Sequence, residues 1–240
     1  MAVFWDALKE AVSLLVRGDH YVYEVIWMSL RVAGVATVLG VLVGVPVGAW
    51  LGLRKFRGWG VAATFLNVGM MLPPVAVGLF VFLLLSRQGV FGSLNLLYTP
   101  AAMTVAEFLI AAPVIGAITM SGVGSVPKEV RLQALGLGAS RWQSLWVVLR
   151  EARVTLLSAV VAGFGAAISE VGAVMMVGGN LSSGGHNLTG TMTTATMMLV
   201  RQGKYAEAMA FALILLFIAF LITLALTYLQ RGVRRRWLQS

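Results

Sequence analysis

The sequence predicts an all-α integral membrane protein with about five transmembrane helices, an N-terminal interfacial helix and a pair of short cytoplasmic helices. Three observations carry that prediction. Of the 240 residues, 59% are hydrophobic and 11% are charged, with a mean hydropathy of +0.89. A water-soluble domain has no room to hide so much apolar surface, so the solvent must be lipid. The charges cluster between long apolar runs, and one stretch, residues 127–151, is mixed, basic and helical in its spacing. The net charge of +9 does not point to nucleic acid, because the basic residues flank apolar runs as they do at membrane edges. Cysteine is absent, which excludes disulfides and thiolate chemistry.

Residues 1–20 form the first unit. Trp5, Leu8, Val12 and Leu15 share one face of a helix over 4–17, and Asp6, Lys9, Glu10, Ser13 and Arg17 share the other. Such a helix lies in the membrane interface. Trp5, Asp6, Lys9 and Glu10 also interrupt any signal-peptide core.

Residues 21–230 read as the membrane domain, with spans over 21–53, 60–85, 100–123, 152–177 and 205–229. The first exceeds the roughly 20 residues that a bilayer requires and must tilt or project. The second contains Pro73 and Pro74, which free backbone carbonyls and bend the helix where protein or a watery cavity covers the break. The third carries Glu107 and Pro113, and the fourth carries Glu170. Residues 178–190, rich in glycine and serine, read as a flexible loop, and Thr191–Val200 as a helix too short to span. Residues 231–240 are a basic tail.

Lys and Arg set the orientation. Residues 54–57, 128–153 and 231–236 hold most of them, against Lys9, Arg17, Arg87, Arg201 and Lys204 on the other side. The N-terminus is therefore expected outside and the C-terminus inside, with 127–151 facing the cytoplasm. In that stretch Pro127 suits a first helical turn, and Gly136 and Gly138 allow a stop and turn. Ser140 and Gln143 form a capping box for a second helix, whose apolar face is Trp142, Leu145, Trp146 and Leu149.

Arg31, Glu107 and Glu170 are intramembrane charges, which are expensive and pair or line a watery path. At about 1.5 Å per residue they sit at one level, roughly 11–14 Å from the outer ends of their spans. Pairing of Arg31 with Glu107 or Glu170 is the expectation. His186 reads as an exposed loop histidine with no second metal ligand. No Gly-x-x-x-x-Gly-Lys-Ser/Thr phosphate loop occurs, so any ATP that drives this chain binds another polypeptide. No internal repeat is visible, which argues against a carrier of two inverted halves.

Leu132-Gln-Ala-Leu-Gly-Leu-Gly138-Ala-Ser-Arg-Trp-Gln143 resembles the coupling-helix motif of type I ABC importer permeases, with Gly138 at the motif's glycine. Leu132-Gln133 replace its Glu-Ala, and Arg150-Glu151 replace its Leu-Pro. Ile168-Ser-Glu-Val-Gly-Ala-Val-Met-Met-Val-Gly-Gly-Asn180 is similar to the fourth-span signature of molybdate, tungstate and sulfate permeases, most like the tungstate branch. Leu72-Pro-Pro-Val-Ala-Val-Gly78 is typical of the same group.

The resemblance implies the type I ABC importer transmembrane fold, a prokaryotic inner-membrane location and a transport subunit that is not itself an enzyme. It implies a homodimer, two ATPase subunits that carry the ATP and magnesium, an external oxyanion-binding protein, and no cofactor in this chain. The coupling residues would be Glu129, Arg131, Leu132, Gln133, Ala134, Leu137, Gly138, Ala139, Ser140, Arg141 and Trp142. The translocation and gate residues would be Pro73, Pro74, Glu170, Gly172, Met175, Gly178, Gly179, Asn180, Thr191, Thr193 and Thr194. Neutral donors among these suit an oxyanion that must also leave. Sulfate or another anion is an alternative substrate, and an ATP-independent channel or secondary carrier is an alternative of a different class.

Overall fold

The computed structural model describes residues 20–235, with side chains to residue 228, and also Trp5, Lys9 and Ser13. Most of the interfacial helix expected over 4–17, and the tail beyond Arg235, lie outside the described residues. The described helices are α1 (His20–Leu53), α2 (Trp59–Met71), α3 (Pro74–Leu85), α4 (Pro100–Gly124), α5 (Lys128–Gly136) and α6 (Arg141–Glu151). They continue with α7 (Arg153–Ile168), α8 (Gly172–Gly178), α9 (Met192–Arg201) and α10 (Tyr205–Arg235). A 3₁₀ turn covers Gly92–Leu94, and two-residue strands β1 (Ser182–Ser183) and β2 (His186–Asn187) pair antiparallel.

Helices α1 and α4 and the Tyr205–Tyr228 part of α10 are long and apolar enough to cross a membrane. The pairs α2–α3 and α7–α8 are apolar enough together but bent at a short break, by 100° and 57°, and counting each pair as one span brings the number to five. The first break follows from Pro73 and Pro74. A residue before proline is pushed to extended backbone, and both Leu72 (ψ 130°) and Pro73 (ψ 121°) are extended. Pro74 then opens α3, where its missing N–H costs nothing.

The second break corrects the continuous span expected over 152–177. Helix α7 ends at Ile168 and α8 begins at Gly172. Glu170 uses both its polar ends outside the helical ladder. Its Oε1 accepts the Ala173 N–H at 2.9 Å, and its carbonyl accepts the Thr193 hydroxyl at 2.8 Å.

Residues 178–190 are likewise a built turn and not the flexible loop expected. Gly184 (φ +58°) and Gly185 (φ +82°) both take left-handed backbone, the requirement of a two-residue type I′ hairpin turn. Thr189 Oγ1 donates to Gly178 O at 2.6 Å and accepts from Leu181 N at 2.8 Å, which ties both ends of the segment together.

The described chain falls into two compact units. One draws on residues up to Ala36, Pro73–Leu109 and Ala167–Thr223; the other on Thr37–Leu72, Ile110–Ala166 and residues from Leu224. In the first, Val22, Val25, Met192, Ala195, Phe211 and Ile214 form a buried core. There α3 also packs on α8, with Gly78 against Ala173 and Val75 beside Gly172. In the second, Ala49, Val123, Val148 and Ala152 form the core. Gly44, Gly48 and Gly52 let α1 lie directly on α4, where any side chain on them would meet Ala112, Gly116 or Met120 backbone.

Candidate functional site

The stretch 127–151 folds as the two short helices expected, α5 and α6. The capping box at its centre is present: Gln143 N donates to Ser140 Oγ, and Ser140 N donates to Gln143 Oε1. Of the two glycines between the helices, Gly138 takes the left-handed backbone (φ +87°), while Gly136 stays helical. Pro127 sits one position before the helix, as its N-cap.

The apolar face of α6 is only partly covered, with Leu145 and Leu149 half-buried. Ser144 and Val148 are buried, whereas Trp142 is 76% exposed and Trp146 also faces out. Glu129, Leu132, Gln133, Leu137, Gly138, Ser140 and Arg141 are exposed, and Arg131, Ala134 and Ala139 are half-buried. Leu137 and Trp142 thus flank the turn as large apolar side chains that the described residues leave uncovered. A groove of about 540 Å³ runs behind them, lined by Trp50, Arg54, Arg131, Arg141, Trp142 and Leu145 among others.

In the other unit, four of the residues expected at a gate, Asn180, Thr191, Thr193 and Thr194, join one hydrogen-bond network that reaches Glu170. Thr191 caps α9, accepting from Thr194 N, and its hydroxyl lies 2.9 Å from that of Thr193. Thr194 Oγ1 donates to Asn180 Oδ1 at 2.9 Å, and Thr193 Oγ1 reaches the Glu170 carbonyl. Thr191, Thr193 and Thr194 are buried, so their hydroxyls are engaged within the protein. Ser29 joins the same network by accepting Met192 N at 2.7 Å, a contribution from α1 that residue spacing did not indicate.

Gly178 is buried against Met103, and Gly179 and Asn180 take left-handed backbone. Met175 is half-buried, and Gly172 adjoins the break near Pro74 through Val75. Asn180 lines a cavity of about 340 Å³ with Tyr21, Ser182, Met198 and Gln202.

The expected ion pair of Arg31 is not formed. Arg31 is exposed and makes no ion pair among the described residues, whereas Glu107 and Glu170 are both buried. Glu107 is 2% exposed, lies within electrostatic reach of Glu170, and leaves Oε2 without a hydrogen-bond partner among the described residues. Counting along the helices places the three charges at one level of the membrane. It has no means of telling which face of α1 carries Arg31.

His186 is exposed, as expected, but the expectation that it has no second ligand is corrected. It does not stand alone in a loop: Glu24 Oε1 lies 2.9 Å from its Nδ1 and 3.1 Å from His20 Nδ1. The sequence held one signal for this, the His20–Glu24 spacing of four that puts both on one helical face.

Residues 44–238 match the family described as binding-protein-dependent transport system inner membrane component. The chain is 38% identical to a probable anion ABC transporter permease protein of Haloferax volcanii, over 82% of this chain and 85% of that one. It is also 38% identical to the tungstate uptake system permease protein TupB of Peptoclostridium acidaminophilum, over 94% of this chain and 97% of that one. Its fold matches that of a chain in the inward-facing MetNI methionine ABC transporter, with a TM-score of 0.74 at 19% identity, over 89% of this chain and 96% of that one.

Proposed function

We propose that this chain, which belongs to the family of binding-protein-dependent transport system inner membrane components, is the permease subunit of an ATP-driven oxyanion importer. Tungstate is the first substrate and molybdate the second. The observation that carries the substrate class is the 38% identity to a tungstate uptake permease along nearly the whole length of both chains. Tungstate and molybdate are dianions of almost one size and charge, so a permease path discriminates little between them, and a separate binding protein has the better opportunity.

The chain is a multi-pass inner-membrane protein with the type I ABC importer transmembrane fold, and ATP is hydrolysed on a separate subunit. In our reading it works as a homodimer with two ATPase subunits and an external oxyanion-binding protein, its N-terminus outside and its C-terminus inside. Exposed Leu132, Leu137, Trp142 and Trp146, on α5, α6 and the turn between them, then form the surface that the ATPase grips. Closure of the ATPase pair pulls this handle and switches the path from inward- to outward-facing. The helix breaks at Pro73–Pro74 and Glu170, with the segment from Gly178 to α9, border the path as its gate. Two broken helices bend at their breaks more readily than two continuous ones.

The test is uptake into proteoliposomes containing this chain, its ATPase and a tungstate-loaded binding protein, read by mass spectrometry of the metal. Tungstate entry that requires ATP and is inhibited by molybdate is the expected result. Entry that proceeds at the same rate without the ATPase would make the chain a channel or carrier.

A further inference from the structure

The chain has two histidines in 240 residues and no cysteine. Both histidines arrive at one place. His20 lies in the first turn of α1 and His186 lies on β2, and their rings meet edge to face with centroids 5.4 Å apart. Glu24 stands between them, with Oε1 3.1 Å from His20 Nδ1 and 2.9 Å from His186 Nδ1. The three potential ligand atoms all lie within 4.8 Å of one another.

We propose that His20, Glu24 and His186 form a binding site for a divalent transition-metal ion of the zinc class. Two imidazoles and a carboxylate are a donor set that zinc, cobalt and nickel accept and that magnesium and calcium do not favour. A tetrahedral ion with bonds of about 2.0–2.1 Å holds its ligand atoms roughly 3.3 Å apart. The two histidine–glutamate separations already have that size, and the histidine–histidine separation closes by turning the rings. Both rings are free to turn, since the His20 side chain is 74% exposed and that of His186 is 64% exposed.

The carboxylate is held in place by more than the histidines. Asn187 N donates to Glu24 Oε2 at 2.7 Å, an orienting hydrogen bond of the kind that metal-ligating groups receive from their surroundings. Helical spacing of four fixes His20 relative to Glu24. The Gly184–Gly185 turn fixes His186 opposite Ser183 and Asn187 opposite Ser182. Three protein ligands leave a fourth position for water or a small anion. A bound ion therefore ties the hairpin ahead of α9 to the start of α1. The inference is independent of the substrate reading, because it concerns binding by the chain alone.

The experiment uses the full chain in lipid nanodiscs, purified through a tag without histidine, titrated with Zn²⁺ and Co²⁺ in equilibrium dialysis. Cobalt is followed by its visible absorption, which intensifies in tetrahedral nitrogen and oxygen coordination. One ion per chain is expected, with binding weakened about tenfold or more in His20→Ala, Glu24→Gln and His186→Ala. Both histidine side chains are mostly exposed, and glutamine at position 24 keeps an oxygen acceptor for the Asn187 N–H, so thermal unfolding of the metal-free variants should match the parent and keeps the comparison valid. No ion bound by the parent, or variants that bind as well as the parent, would overturn the proposal.

Discussion

Gly48 of α1 lies so close to α4 that a methyl group on it would overlap the carbonyl oxygen of Gly116. Backbone on both sides leaves nothing flexible to give way. Gly48→Ala should therefore cost about 1–3 kcal/mol through overpacking. At Gly34, on the same helix, a methyl group would have nothing within 4 Å. Gly34→Ala should be neutral or stabilising, since alanine favours a helix by about 1 kcal/mol over glycine. Thermal unfolding of the two variants in one detergent separates close helix contact from general sensitivity of α1.

The Thr193 hydroxyl distinguishes a part in the fold from the proposed part in the gate. Its Oγ1 donates to the Glu170 carbonyl, at the break that ends α7. Thr193→Val leaves that buried acceptor unmade and should cost about 1–3 kcal/mol. Thr193→Ser keeps the donor and should restore most of the loss. If the hydroxyl serves the break and not the anion, the folded Thr193→Val protein keeps the parent's KM for tungstate. A raised KM with unchanged unfolding would reverse that assignment.

The hairpin can be tested by its turn. Gly185 has φ +82° and open space around it, so any cost of a side chain there comes from the backbone alone. Gly185→Val should destabilise the turn by about 1–2 kcal/mol, because a branched residue resists left-handed backbone. Gly184→Asn should be tolerated, since asparagine followed by glycine is the preferred pair for this turn. Hydrogen exchange at Leu188 and Thr189, whose N–H groups both bond to Leu181 O, reports the difference.

The long apolar helices, the break at Pro73–Pro74 and the Ser140–Gln143 cap were legible because each depends on residues close together in the chain. The break at Glu170 was not. Part of what satisfies it comes from far along the sequence, where Thr193 supplies a donor to the Glu170 carbonyl. Arg31 was misplaced for a related reason: depth along a helix can be counted, but the direction a residue faces is set by what packs around it. His20 and His186 met unforeseen, because no local pattern links residues so far apart. The glycines at 40, 44, 48 and 52 did carry a readable signal, a spacing of four that marks close helix approach.

Trp142 offers the sharpest test of the proposed coupling surface. It is 76% exposed at the first turn of α6, beside Leu137 at 89% on the turn itself, and neither has a core to join. Removing a side chain that nothing in the chain buries should leave stability within about 0.5 kcal/mol of the parent. A tryptophan buried in an interface, by contrast, contributes about 2 kcal/mol or more, roughly thirtyfold in affinity. Trp142→Ala should therefore unfold like the parent yet bind the ATPase about thirtyfold more weakly, with ATP-driven uptake reduced in step. Val148→Ala, on the buried face of the same helix, should do the opposite: it loses about 1–3 kcal/mol of stability through lost core packing and keeps its affinity for the ATPase once folded. A Trp142→Ala protein that binds the ATPase as tightly as the parent would place the grip elsewhere on the chain.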